Sequence, residues 1–574
     1  MLYFFQQFVN SLTKTKYYLI VANVLLVFFL ILLYNLKVLP MRLGDFVFFS
    51  LIYLIFALYR PGWSFLFFVG TIALENINLA PESLGIFIRP YQIIGALTIF
   101  SLLLRHYTKR LNFELVKLKW FDYVVGIFIF AGFLSSIFAL DKGATFKQSI
   151  ILLFFVALYW LVRNYIQTLE DLKKVIPFFL GSSVIVVFYG IWQNIRFVHG
   201  LNSFEVMLGR PNATFTEADW LGIYLVILIA VIYLIIYQIS NSPNYLISNQ
   251  IPNPNFQNTK YKILNTKYFI PIALYLLLIS VFILLILTVS RSAWLGAGFI
   301  TLVFLKAILT NFSFRFREWR GKELMRQLIF IAIALILSFG IVYFFKLTNF
   351  QLFNRAQSTS SGLQKITVAC ESDSDAPEKI GEVSELEQYG CSHINLEEIN
   401  QEREEGFEIR EIYRTDPNVN IRSQIYQKSV AEIKKHPIFG IGWGNISNVL
   451  GKDERGTGLN SSNIFLEVWL GSGILGLLAF LTIWVYIFVK SVVYCVRRPH
   501  TKSLNLWQND NLSGNISDDK STPANDFGVG VNFESKIIGI LLFLMFFAIL
   551  VPNMFNAGVF LGVLWLFFAV ATSL

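Results

Sequence analysis

The chain has 574 residues; 55% are hydrophobic, 16% are aromatic and 15% are charged, where an ordinary soluble domain carries about 25% charged residues. The apolar residues fall in blocks of about 17–25, the length an α-helix needs to cross roughly 30 Å of hydrocarbon, and this excludes a soluble globular class. The net charge of +10 hides a division: 14 acidic residues and 3 basic ones lie between Glu371 and Glu411, leaving 44 basic against 23 acidic elsewhere. Those basic residues sit between apolar blocks, where they act as topology signals rather than as a nucleic-acid surface.

In chain order, membrane spans are expected near residues 17–34, 45–59, 63–79, 91–105, 121–140, 147–165, 175–194, 219–238, 268–287, 294–310, 327–346, 464–489, 536–552 and 557–573. The first run is too long for a signal-peptide core and lacks a small-residue exit, so it reads as an uncleaved span. The second and third are separated by Arg60-Pro61-Gly62 alone. They form either two spans or one re-entrant pair, so the fold class is an all-α polytopic membrane protein with about 12–14 transmembrane helices. Almost no ionisable residue falls at a span centre, which argues against an ion-coupled transporter.

Lysine and arginine cluster in one set of connections, notably at Arg105–Lys119, Lys173/Lys174, Arg315–Arg326 and Arg497/Arg498. By the positive-inside rule these face the cytoplasm. Both termini then lie inside a cytoplasmic (inner) membrane, and loops 195–218, 288–293 and 347–463 lie outside. The chain divides into N-terminal helices (1–194), central helices bearing outer arginine turns (195–346), a large extracytoplasmic loop (347–463) and C-terminal helices (464–574). Polar stretches at 240–266 and 499–534 read as cytoplasmic linkers, too poor in apolar residues to fold alone.

The large loop has two halves. Residues 355–411 form an acidic polar insert. Residues 420–436 place Ile421, Ile425, Val430 and Ile433 near one face of an amphipathic helix. Asn420 is expected to cap it and Pro437 to stop it, with Gly440, Gly442 and Gly444 turning the chain back toward the bilayer. Cys370 and Cys391 share this outer loop, where disulfides are permitted, and they are expected to pair. Cys495 is cytoplasmic and unpaired. No CxxC or Cys/His cluster is present, so no structural metal is expected. Asp373-Ser-Asp375 has the spacing of a metal-binding Asp-x-Asp, but such spacing arises easily in an acidic run.

Three outer segments collect the polar residues. The first is GRPNATFTEADW, from Gly209 to Trp220, opening a span; the second is TVSRSAW, from Thr288 to Trp294; the third begins at Arg422, runs through HPIFGIGWGN (436–445) and NSSN (460–463), and ends in Gly473-Ile-Leu-Gly476. Together they resemble the O-antigen ligase/polymerase superfamily of the Wzy_C type, over roughly Arg210 to Gly476 without the acidic insert. That family's pattern is His-[Asn/Ser/Gln], nine residues, then Gly-x-x-Gly. Asn463, Gly473 and Gly476 match it; Ser462 stands where the histidine should be.

The resemblance implies a GT-C-like membrane glycosyltransferase without a cofactor. Its donor would be a glycan on undecaprenyl diphosphate, and its acceptor a glycan, a lipid or a protein. Arginine suits such a donor, because its planar fork binds phosphate oxygens two at a time and stays protonated. Arg210, Arg291 and Arg422 are the candidate pyrophosphate ligands, although an outer arginine equally serves as a headgroup anchor. With Ser462 unable to act as a base at neutral pH, Glu217, Asp219, His436 and Glu467 become candidates. Glu217 and Asp219 could instead cap the span that begins there, and Ser462 with Asn463 completes the catalytic set. The outer tryptophans Trp220, Trp294, Trp443 and Trp469 fit an interfacial belt better than a sugar platform. Two other function classes stay open: a solute (bicarbonate-type) transporter and a non-catalytic scaffold of a glycan assembly complex.

Overall fold

The structure is a computed structural model that describes residues 14–207, 209–241, 257–310, 312, 319–347, 363–371, 374–381, 383–394, 399–415, 417–452, 458–496 and 526–574. Most of the linker expected at 240–266 and most of that at 499–534 lie outside these residues, as does Asp373.

Long apolar runs fold as helices because only internal hydrogen bonding satisfies backbone groups inside a bilayer. The helices are α1 Lys14–Asn35, α2 Leu43–Tyr59, α3 Pro61–Gly70, α4 Pro90–Tyr107, α5 Trp120–Phe138, α6 Lys142–Tyr165, α7 Leu169–Val198, α8 Ala218–Asn241, α9 Gln257–Thr288, α10 Arg291–Thr310 and α11 Gly321–Phe344. After the long connection that follows α11 come α15 Ile464–Val496, α16 Asp526–Asn553 and α17 Gly562–Ser573. Among the described residues ten helices are long and apolar enough to span a membrane, while α2, α3 and α17 are shorter apolar helices. Helix α8 is the central mast: 89% of its apolar window is buried, as expected of a helix that is hydrophobic on every side. It packs against α9, α10 and α16, while α15 packs against α5 and α16.

The expected span at 63–79 is corrected. Helix α3 stops at Gly70, so it rises about 15 Å, half the hydrocarbon thickness. Thr71 turns its hydroxyl onto the carbonyls of Phe67 and Phe68, and the chain runs irregularly to Arg89. Likewise α17 begins at Gly562 rather than 557, after a 3₁₀ turn at Gly558–Phe560. The two half-helices meet at Glu75, which is fully buried. Its carboxylate accepts from the Gly562 N–H at 2.8 Å and the Tyr91 hydroxyl at 3.1 Å, and pairs with Arg89 Nε at 2.7 Å. A second buried pair joins Asp122 and Arg163. Both pairs lie at or beyond helix ends rather than at span centres, and each charge is met by a partner. Glu75→Ala would leave the Arg89 guanidinium buried without its counter-ion, which costs about 3–5 kcal/mol; thermal melting in detergent should fall well below wild type, with Glu75→Gln intermediate.

Between α11 and α15 the long connection holds a feature its composition did not announce. Strands β1 Leu363–Cys370, β2 Lys379–Ile380, β3 Cys391–His393 and β4 Glu408–Thr415 form a sheet in the order β2-β4-β1-β3, with the short helix α12 Ile399–Glu404 before β4. Strands β1 and β4 run antiparallel from Leu363↔Thr415 to Cys370↔Glu408. Ile366, Val368, Cys370, Ile380, Leu386, Cys391 and Ile412 make a small separate core. Cys370 and Cys391 face each other across β1 and β3 and are disulfide-bonded. Replacing both with serine should cost about 2–4 kcal/mol of this module's stability, visible as faster proteolysis within 363–415. Thiol labelling of the native protein should reach neither cysteine.

Helix α13, Pro417–Lys435, follows, then α14 Ile446–Leu450. The expected Asn420 cap is corrected: α13 starts three residues earlier with proline at its first position, where the missing N–H costs nothing. Its buried face is Ile425, Ser429 and Ile433, at i, i+4 and i+8, while Ile421 and Val430 are exposed. It packs against α15.

Candidate functional site

The site starts from two tight turns. Gly209 has φ +75° and lets the chain double back, with the Arg210 N–H donating to the Met207 carbonyl at 3.1 Å. Behind it Asn212 braces the loop, its amide oxygen accepting from the Val206 N–H, while Gln193 Oε1 accepts from the Ala213 N–H. The Thr214 carbonyl accepts from the backbone N–H groups of Glu75 and Asn76 at 2.9 and 2.8 Å. The loop bearing Arg210 is thus pinned to the half-helix break. Nearby, Glu205 Oε2 accepts from the Gly209 N–H and the Ser203 hydroxyl. Burial pushes its carboxyl above the usual range, partly offset by those two bonds. A raised carboxyl favours the fold at low pH and loses that contribution as pH rises through its folded value. Melting curves recorded between pH 4 and 7 should therefore depend less on pH in Glu205→Gln than in wild type.

The second turn joins α9 to α10. Val289 takes a left-handed φ of 53°, and α10 opens with Arg291, which is half-buried. This turn lies against the start of α8 because Gly222 allows it: a Cβ there would sit 2.7 Å from Ala293 Cβ and 3.2 Å from Ser290 Cβ. Close approach puts Asp219, at the second position of α8, within reach of both turns. Arg210 Nη2 lies 3.3 Å from Asp219 Oδ1, and Arg210 Nε donates to the Thr288 carbonyl at 3.0 Å. The Ser290 hydroxyl also hydrogen-bonds the Asp219 carboxylate, and Arg422 of α13 lies within electrostatic reach of it. Asp219 is therefore engaged with Arg210 and Ser290. Glu217 stands at the N-cap position of α8, its carbonyl accepting from the Leu221 N–H.

The third segment is built around a broken helix. Inside α15, Gly473 has φ +67° and interrupts the helical path. The freed backbone receives residues 437–442: the Ile474 N–H donates to the carbonyls of Pro437 and Ile438, and the Ile441 N–H to Leu470 at 2.7 Å. Gly440 and Gly442 also have positive φ. Trp443 then inserts fully into the bundle, against Gly471, Gly132 and Phe560. Buried Asn445 fastens the segment, its side chain bonding the backbone of Asp141 and Ile441 and the Thr145 hydroxyl. The turn back into the bundle is thus a docked, packed segment. Trp443 is core, not a sugar platform.

Ser462 and Asn463 lie at the mouth of α15. Asn463 Oδ1 accepts from the Phe465 and Leu466 N–H groups, so it caps α15. Its amide N–H donates to the Met554 carbonyl at 3.1 Å. Ser462 has φ +52°, and its carbonyl accepts from the Tyr426 hydroxyl of α13. Glu467 accepts from the Ser461 N–H at 2.8 Å. His436 is exposed just beyond the end of α13. The bond that Ser462 makes to α13 is through its main-chain carbonyl, so Ser462→Ala should keep that contact and melt near wild type.

Residues 274–481 match the Wzy_C family, described as O-antigen ligase. The chain carries a Wzy_C O-antigen ligase family domain. A comparison with curated proteins and with solved structures found no match. The ligase-family segment includes Arg291, Arg422, Ser462, Asn463 and the glycine pair, whereas Arg210 and Asp219 lie before it and reach it through space. The turn after α16 also reaches it and was absent from the sequence-based site: Asn556 Nδ2 donates to the Ser292 hydroxyl at 2.9 Å. The only signal for it in sequence is a short polar run, Asn553-Met-Phe-Asn556, between two apolar blocks. Among the described residues no group of His, Cys, Asp and Glu could hold a metal ion.

Proposed function

We propose that this protein is a membrane glycosyltransferase that ligates or polymerises a glycan carried on undecaprenyl diphosphate, working at the outer face of the cytoplasmic membrane. The observation that carries the reading is the meeting of Arg210 and the turn holding Ser290 and Arg291 at Asp219. A lipid-linked sugar diphosphate presents two to three negative charges, and an arginine cluster at the start of a helix fits it twice over. Guanidinium forks take the oxygens, and the first-turn N–H groups of α10 add the positive end of the helix dipole.

In the proposed step an acceptor hydroxyl oxygen bonds to the anomeric carbon while the bond from that carbon to the phosphate oxygen breaks. Undecaprenyl diphosphate leaves with the electron pair, stabilised by the arginines, and the hydroxyl proton passes to a carboxylate base. Asp219, held by Arg210 and Ser290, suits positioning of the guanidinium better than proton transfer. Glu217, at the N-cap position of α8, is the carboxylate assigned here as base. A pH–rate profile separates them: Glu217→Gln should lose the acidic limb, while Asp219→Asn should lower the rate across the whole range. Unchanged rates in both would remove both from the mechanism.

Gene deletion followed by analysis of surface glycan length and undecaprenyl-linked intermediates tests the reading. Full-length unligated chains mean a ligase, single repeat units mean a polymerase, and unaltered glycans defeat both. A second reading, solute transport, draws on the half-helices α3 and α17 meeting at a buried ion pair, since broken helices line many transporter sites. Substrate flux into liposomes containing this protein alone would favour it; glycan transfer in vitro favours the enzyme.

A further inference from the structure

Asn556 has a hydrogen-bonding arrangement that the diphosphate reading does not use. One N–H of its amide goes to the Ser292 hydroxyl at 2.9 Å and the other to the Pro552 carbonyl at 3.2 Å. With both donors spent, the amide plane is fixed and the carbonyl oxygen is the group's remaining capacity. That oxygen has no donor among the described residues, and Asn556 is half-buried. Its neighbours place it beside the arginines. Ser292 follows Arg291 in the chain, and the Ser292 and Ser290 hydroxyls lie 3.3 Å apart. Ser290 in turn bonds Asp219. The turn is held on its other side by Asn463, through the Met554 carbonyl, and is braced internally by Asn553, which accepts from the Gly558 N–H.

A carbonyl oxygen with no N–H left to offer repels phosphate oxygens, which are acceptors themselves. What it can bind is a donor: a sugar hydroxyl, or the amide N–H of an N-acetylated sugar. We propose that Asn556 reads the sugar next to the diphosphate, its Oδ1 accepting a hydrogen bond from that sugar while the arginines take the phosphates. This rests on the diphosphate reading above and adds that the site recognises the glycan and not the lipid diphosphate alone.

The test is equilibrium binding to the full-length protein in nanodiscs, with three probes: undecaprenyl diphosphate, and the same lipid bearing one hexose or one N-acetylhexosamine. Wild type should bind at least one sugar-bearing lipid roughly three- to tenfold more tightly than the bare one, the range of one neutral hydrogen bond. In Asn556→Ala that ratio should fall to about one. Asn556→Ser, smaller and still polar, takes its place if the alanine variant does not fold by thermal melting. Equal binding of all three lipids by wild type, or a preference that survives substitution, overturns the assignment. Failure of wild type to bind any of the three overturns the diphosphate reading, and this assignment with it.

Discussion

Arg210→Ala and Arg291→Ala should each lower glycan transfer by roughly 10²–10³-fold, the loss seen when one preorganised donor to a developing anion is removed, while protein level in the membrane stays near wild type. Arg210 is the better defined of the two. Its guanidinium is held by the Thr288 carbonyl and the Asp219 carboxylate, so its place is fixed before substrate arrives. Lysine should not rescue either position, because a point charge cannot reproduce the planar fork. The double variant should be little worse than the single ones if both residues serve the same leaving group. Wild-type surface glycan in the double variant would move the protein to the scaffold reading.

The second large effect is on folding. Gly473→Ala should prevent the 437–442 segment from seating on α15. A Cβ at Gly473 would lie 2.0 Å from the Ile438 carbonyl oxygen and 2.6 Å from its carbon, backbone atoms that cannot rotate away. With φ +67° and ψ −170°, Gly473 sits in a backbone region open essentially to glycine alone, which adds about 1–3 kcal/mol by itself. Gly476→Ala makes an informative contrast. Its obstacles are Ser472 Oγ at 1.9 Å and Ser472 Cβ at 2.5 Å; the hydroxyl can turn aside, the Cβ moves only if the helix gives locally, and Gly476 has no positive φ to strain. Both variants carry one extra methyl in the same motif, yet the first should fail to accumulate as folded protein, while the second should accumulate and melt clearly below wild type. Equal behaviour would mean that the docking described here does not hold the segment in place.

This contrast bears on what the sequence could say. The long spans were legible because about 20 apolar residues admit few other structures. The breaks were not. Nothing in the run from 63 to 79 marks Gly70 as an end, because the stop depends on Thr71 bonding back to Phe67 and on Glu75 finding Gly562 far along the chain. The sheet was hidden by its composition. Ile366, Val368 and Cys370 alternate as strand residues should, but the acidic residues that follow read as solvated loop. At the site, the individual arginines and Asp219 could be named, since their residue types match the chemistry. Their meeting could not, because it depends on Gly222 letting α8 approach the 288–293 turn. Asn463 shows the converse. Its place in the family pattern suggested chemistry, and its oxygen is occupied in capping α15.

The strand order of the 363–415 module also constrains how the protein is made. Strand β1 emerges first yet pairs along its whole length with β4, the last strand. Until Thr415 has been made, β1 has only the three residues of β3 to hold, and a pairing that distant forms slowly. The cross-strand bridge at Cys370 and Cys391 retains that partial structure during the wait. An oxidant is then needed early, on the nascent chain, rather than after the helices have assembled. Pulse-labelled chains truncated between Cys391 and Glu408 should already carry the bridge.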